Sequence, residues 1–152
     1  MEIQKIEVNK LEYKDLLLEA DPEIDVVEKY IDTGDMYVLF EDDGTPVAEI
    51  IITKVNDEEC ELKNIATSKS VRGKGYAGIL ISHVFEIYSK EYKRMIVGTT
   101  ENMIPFYVLK GFTKYHHTVK NFFIDNYKEP IYDGDLQCID MYYYSKELVK
   151  NS

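Results

Sequence analysis

The sequence predicts a mixed α/β fold, a mostly antiparallel central sheet flanked by helices, in one domain spanning residues 1–152. Three observations predict it. Two β-like runs flank an Asp43-Gly44 turn, a strong hairpin signal. A third run leads through a glycine-rich loop into a segment of helical apolar spacing and back to a strand, which requires a parallel crossover. Strand and helix patterns keep alternating beyond it.

In chain order, Asp21-Pro22 opens a helix over 23–30 with apolar Ile24, Val27 and Tyr30, and Thr33-Gly34 ends it. Runs 36–40 and 47–55 are the hairpin strands, and a third strand, 58–67, follows the Asn56-Asp57 turn. Loop 68–75 leads into a helix whose Leu80, Ile81, Val84, Phe85, Ile87 and Tyr88 recur at helical spacing for packing on a sheet. Residues 95–99 read as strand, 103–110 as a short helix stopped by Gly111, and Phe112 onward as strand. The last third, to about Tyr144, is rich in tyrosine and phenylalanine and supplies a closing pair of strands. There is no internal repeat, low-complexity tract or long linker.

The 45% hydrophobic and 30% charged content is that of a globular chain able to bury a core without staples. Met1-Glu2-Ile3-Gln4-Lys5 lacks the pattern of a signal peptide, and apolar runs such as Ile50-Ile51-Ile52 are too short to cross a bilayer. Cys60 and Cys138 have no metal-site spacing, so no metal is expected and a reducing cytoplasm is the simplest setting. The net charge of −10 argues against nucleic acid, which needs a basic face. It favours a cationic substrate, although excess Asp and Glu equally serve solubility.

The chemistry concentrates at Arg72-Gly73-Lys74-Gly75-Tyr76-Ala77. A strand, a glycine-rich loop and a helix start together expose free backbone N–H groups and the positive end of a helix dipole, which bind phosphate. Gly73 and Gly75 let the backbone approach an anion closely, and Arg72 and Lys74 add charge. The loop is neither a P-loop nor a dinucleotide fingerprint. Alone, it reads equally as a phosphate cradle or as a basic turn into a helix.

With its surroundings the chain resembles the GCN5-related N-acetyltransferase (GNAT) superfamily. Arg72, Gly75 and Ala77 match that family's [QR]-x-x-G-x-[GA] signature. Leu62-Lys63-Asn64-Ile65-Ala66-Thr67 is similar to its pantetheine-holding strand, and Phe106-Tyr107-Val108-Leu109-Lys110-Gly111-Phe112 to its helix ending in Gly-Phe. Residues 121–144, with Cys138-Ile139-Asp140-Met141, resemble a subgroup of small single-domain bacterial acetyltransferases. One departure stands out: where the family usually has Asn and Ala before the second motif's tyrosine, this chain has Thr100 and Met103, with Asn102 displaced by two.

The resemblance implies acetyl-CoA as cosubstrate, with no metal, and direct attack by a primary amine of a small molecule. A backbone N–H near Ile65, Ala66 and Thr67 would hold the oxyanion, Thr100 or Asn102 would contact the pantetheine, and Tyr107 occupies the general-acid position. Against that role, Tyr107 is one of 13 tyrosines and also reads as a core aromatic. Glu59 and Glu61 share side-chain parity on the strand before the loop and are candidate bases, or solvated carboxylates. Of His116 and His117, adjacent on a strand, at most one is expected to face the site. Cys60 lacks nucleophile partners and reads as buried, while Glu129, Asp133 and Asp135 form an acidic loop suited to a cation or simply solvated.

Two other readings stay open: a protein or peptide acetyltransferase, and a non-catalytic acyl-CoA-binding module, which Thr100 and Met103 favour. Family members often dimerise, and the aromatic closing strands offer a homodimer interface.

Overall fold

The computed structural model describes residues 1–148, so residues 149–152 of the expected domain lie outside it. The strands are β1 (Glu2–Ile6), β2 (Asp35–Phe40), β3 (Pro46–Lys54), β4 (Glu59–Thr67), β5 (Arg94–Thr99), β6 (Lys114–Val119), β7 (Ile131–Asp133), β8 (Leu136–Cys138) and β9 (Met141–Glu147). The helices are α1 (Lys14–Ala20), α2 (Ile24–Val27), α3 (Tyr76–Tyr88), α4 (Ile104–Leu109) and α5 (Phe122–Asn126).

Seven strands form one sheet in the order β1-β2-β3-β4-β5-β9-β6, and β7 and β8 pair as a separate small hairpin. Every neighbouring pair in the large sheet is antiparallel except β4 with β5, which α3 connects as the predicted crossover. Helices cover both faces of the sheet centre. On one face the α3 stripe of Leu80, Ile81, Val84 and Tyr88 packs on Ile50, Ile52, Leu62 and Val97. On the other, Leu17 of α1 and Val27 of α2 pack on Met36, Val38 and Ile51. Because both faces are covered, β3 is buried continuously from Val47 to Ile52, Glu49 included, and does not alternate. Each fully buried Leu or Ile there contributes about 2 kcal/mol through apolar burial.

Several elements differ from expectation. β1, an edge strand on β2, and α1 carry little sequence periodicity and were not anticipated. The helix expected over 23–30 is a single turn, after which the chain tightens: Tyr30 N–H donates to Val27 O and Gly34 N–H to Tyr30 O. The last third contributes a true closing pair, β6 and β9, but β9 inserts between β5 and β6, with α5 and the β7–β8 hairpin looping out before it. Among the described residues no helix is long and apolar enough to cross a membrane.

Candidate active site

β4 and β5 pair only from Glu59–Leu62 against Arg94–Val97, yet both strands continue, to Thr67 and Thr99. The divergence starts at a bulge. Ile52 faces Leu62 while Ile51 faces Asn64, which leaves Lys63 as an extra residue. Such a residue bends its strand and interrupts pairing. On the other side, β9 stays tight against β5 because residue 98 is glycine: a Cβ there would lie 2.8 Å from Tyr143 Cζ and closer still to Met141 Sδ. β4 is therefore the strand that parts, and the gap opens into a cavity of about 920 Å³.

Ile65, Ala66 and Thr67 form one wall of this cavity and Gly98, Thr99 and Thr100 the other. The N-terminus of the 13-residue α3 borders the cavity, with Arg72, Gly73, Gly75, Tyr76 and Ala77 in its lining. Gly75 is the N-cap at φ 81°, a left-handed conformation, and no side chain caps the helix. The first-turn N–H groups are thus available to an anion. Lys74 and Asn102 do not line the cavity. Arg72 lines it, but its Nη2 donates to Glu19 Oε2 at 2.8 Å and its Nε to Thr67 O at 3.4 Å. Lys110 also lines the cavity, and its Nζ lies 3.1 Å from where a Gly78 Cβ would be. No carboxylate lies within ion-pair distance of it among the described residues. It is an unneutralised cation beside the helix start, and the sequence reading missed it as a functional residue.

Tyr107 of α4 lines the cavity next to the splay. Its ring is wedged against Phe106 and Phe112, and its carbonyl accepts the Phe112 N–H at 3.0 Å, so the Gly-Phe turn positions it. Its hydroxyl has no protein hydrogen-bond partner among the described residues. Burial, aided by the nearby Glu49 charge, pushes the phenol up to about 12. Glu49 itself is fully buried on β3 with both carboxyl oxygens unpartnered, and burial pushes its carboxyl well above the usual range.

Glu59 and Glu61 project from the same face of β4 as expected, but neither lines the cavity. Burial pulls Glu59 upward. Hydrogen bonds from His116, Arg94 and Asn56 together outweigh it and hold the carboxyl below its usual value. Glu61 sits 3.6 Å from Lys63, and burial raises it despite that partner. The histidines do not alternate as residues of a regular strand would. Tyr115 faces Tyr144 and His117 faces Tyr143, so His116 is a bulge residue and strict alternation fails. The two rings meet, Nδ1 to Nδ1, at 2.6 Å; His117 stacks on Tyr143 and His116 binds Glu59, both outside the cavity. Cys60 is fully buried, and burial pushes its thiol up to about 12, which leaves it inert.

Thr100 lines the cavity, but its hydroxyl donates to Asp133 Oδ2 at 3.0 Å, and Asn102 Nδ2 donates to Asp133 O at 3.2 Å. Of the acidic loop, Asp133 lines the cavity while Glu129 and Asp135 do not. Asp21, just past α1, also lines the cavity, although in the sequence it marks only a helix start.

The Acetyltransferase (GNAT) family description fits residues 6–112 of the chain. The chain is 31% identical over 134 residues to the uncharacterised N-acetyltransferase YvbK of Bacillus subtilis (strain 168), covering 86% of this chain and 85% of that protein. A GNAT family acetyltransferase from Elizabethkingia anophelis, solved with acetyl-CoA bound, superposes with a TM-score of 0.87 at 27% identity over 96% of this chain and 97% of that one. A Bacillus subtilis acetyltransferase in complex with CoA gives 0.84 at 27% identity, over 97% and 98%. The chain therefore belongs to the GNAT family of acetyltransferases and is an N-acetyltransferase.

Proposed function

We propose that the protein transfers the acetyl group of acetyl-CoA to a primary amine of a small molecule. The observation that carries this reading is the meeting, in one cavity, of the unpaired β4 edge, the uncapped α3 N-terminus and the unpartnered Tyr107 hydroxyl. The pyrophosphate rests on the N–H groups at Gly75, Tyr76 and Ala77, with Lys110 supplying charge, and the pantetheine adds to the β4 edge as a strand would. A backbone N–H among Ile65, Ala66 and Thr67 faces the thioester oxygen and stabilises the oxyanion.

Tyr107 faces the leaving sulfur. With its phenol near 12, full proton transfer to a thiolate whose ordinary conjugate-acid value is ~8.5 would be uphill by ~5 kcal/mol. Burial raises the thiol as well and narrows the gap. Tyr107 thus acts first as a hydrogen-bond donor to the developing thiolate, and the proton follows as charge builds.

A small acceptor is favoured over a peptide because two segments beside the cavity are tied to each other. Lys128 N–H donates to Glu23 Oε2 at 3.0 Å and Lys128 Nζ to Asp25 Oδ2 at 2.7 Å, tying the chain after Tyr127 to the chain after Pro22, two residues that line the cavity.

The test is thiol release from acetyl-CoA against a panel of small amines and of lysine and N-terminal peptides. Saturable release with small amines and none with peptides supports the reading; release only with peptides assigns a protein acetyltransferase, and none at all an acyl-CoA-binding module.

A further inference from the structure

Asp21 caps the C-terminal end of α1 and forms part of the cavity wall, 8% exposed. Tyr127 Oη donates to its Oδ1 at 2.8 Å and Tyr30 Oη to its Oδ2 at 2.9 Å; Tyr30 in turn receives the Asn64 amide at 2.8 Å. Each carboxylate oxygen accepts one hydrogen bond from a neutral phenol and keeps capacity for another. Burial raises the carboxyl above its usual range, while Tyr127, Tyr30 and, more weakly, Lys63 pull it back.

What this carboxylate lacks is a counter-ion. Lys63 is the nearest cation, but its ion pair is with Glu61, and no cation lies within ion-pair distance of Asp21 among the described residues. A mostly buried carboxylate with only neutral donors is costly unless a positive group reaches it. Asp21 lines the same cavity as the α3 N-terminus, so a ligand in that cavity can reach it. Tyr127 and Tyr30 also come from segments far apart in the chain, so the carboxylate is gripped from two sides and cannot swing out to solvent.

We propose that Asp21 is the acceptor-amine subsite: it binds the ammonium of a small primary amine through its free carboxylate lone pairs and removes one proton before attack. The inference rests on the acetyl-transfer reading above. In the balanced step, R–NH3⁺ gives a proton to the Asp21 carboxylate and becomes R–NH2. The nitrogen lone pair forms the C–N bond, and the C–S bond breaks with its electron pair leaving on sulfur. The nitrogen's second proton balances the thiolate, delivered through Tyr107, and Asp21 returns its own proton to solvent. Net, R–NH3⁺ and the thioester give amide, thiol and one H⁺. The groups facing Asp21 during this cycle are Tyr30, Tyr127, Lys63 and the Glu23 backbone. An anionic acceptor meets the Asp21 carboxylate and a permanently neutral one forms no ion pair with it, so the substrate class is an amine that is cationic in solution.

The experiment is calorimetric titration of the full-length protein saturated with CoA, using ethanolamine, putrescine, tyramine and glycinamide as probes, so that it does not depend on turnover. At least one probe should bind the wild type. Asp21→Asn should weaken that probe tenfold or more and leave CoA affinity within twofold. Absence of binding by every probe, or equal binding in Asp21→Asn, overturns the proposal. Should Asp21→Asn not fold, Tyr127→Phe decides: losing one donor makes the carboxylate more basic, so the pH below which the probe is released rises. An unmoved pH of release also overturns it. Thiol release by the wild type separates the two readings, since turnover with an unaffected Asp21→Asn sinks the subsite alone.

Discussion

Thr100 Oγ1 donates to Asp133 Oδ2 at 3.0 Å, and this bond fastens the loop after β5 to the β7–β8 hairpin. Asn102 reinforces the contact through the Asp133 carbonyl. Thr100, one of the departures from the usual family pattern, and the displaced Asn102 thus hold a local strap together. Thr100→Val should cost about 1–2 kcal/mol, read as a Tm lower by a few degrees, with acetyl-CoA affinity within twofold. A tenfold loss of affinity would place Thr100 on the pantetheine instead.

Tyr107→Phe removes one hydroxyl that has no protein partner and keeps the packing against Phe106 and Phe112. Stopped-assay kinetics should show kcat lower by about 10²-fold, with Kd for acetyl-CoA unchanged. Since the phenol lies near 12, no loss of kcat traceable to Tyr107 should occur below about pH 10. Unchanged kcat in the variant would make Tyr107 a packing residue.

Gly75→Glu and Gly75→Ala separate backbone strain from ligand space. A Cβ at Gly75 meets nothing within 4 Å, so neither substitution clashes with protein, but φ of 81° strains both by about 1 kcal/mol. Alanine should lower Tm by a few degrees and retain measurable acetyl-CoA binding. Glutamate places bulk and negative charge in the cradle, and calorimetry should find no binding. Equal affinity in the two variants would remove the cradle from the account.

What the sequence made legible was local. Asp43-Gly44 turns between β2 and β3 with Gly44 at φ 88°, and the loop at 72–77 does lead from a strand into a helix start. Tyr107 could be placed because Gly111-Phe112 follows it within a few residues. The acceptor end was not legible. Asp21 and Tyr127 meet across 106 residues, and nothing in either neighbourhood announces the other. Bulges hid two more features: the extra residues Lys63 and His116 break the period-two rule by which side chains are assigned to faces. The short α2 failed for a different reason, since tertiary packing of Tyr30 and Ile31 overrides the helical spacing of 23–30.

Glu49 gives the stability a pH signature. Burial raises its carboxyl in the folded protein above the ordinary 4.5, so the folded state holds this proton where the unfolded chain releases it. The sign follows: stability from this group is complete below about pH 4.5 and declines as pH rises toward the folded-state value. Urea unfolding at several pH values should show wild-type stability falling by up to ~1.4 kcal/mol per pH unit above that point. Glu49→Gln should flatten the slope, leaving the contributions of the same sign from Glu61 and Asp21. An identical slope in wild type and variant would mean that Glu49 does not stay protonated.

The central claim is that the β4–β5 splay and the α3 N-terminus form an acetyl-CoA site, and a thermal-shift titration with acetyl-CoA, CoA and ATP tests it most directly. At a hundredfold excess over Kd, acetyl-CoA and CoA should each add ~2.7 kcal/mol and raise Tm by roughly 5–10 °C, while ATP leaves it unchanged. No shift with acetyl-CoA, or an equal shift with ATP, would contradict the account.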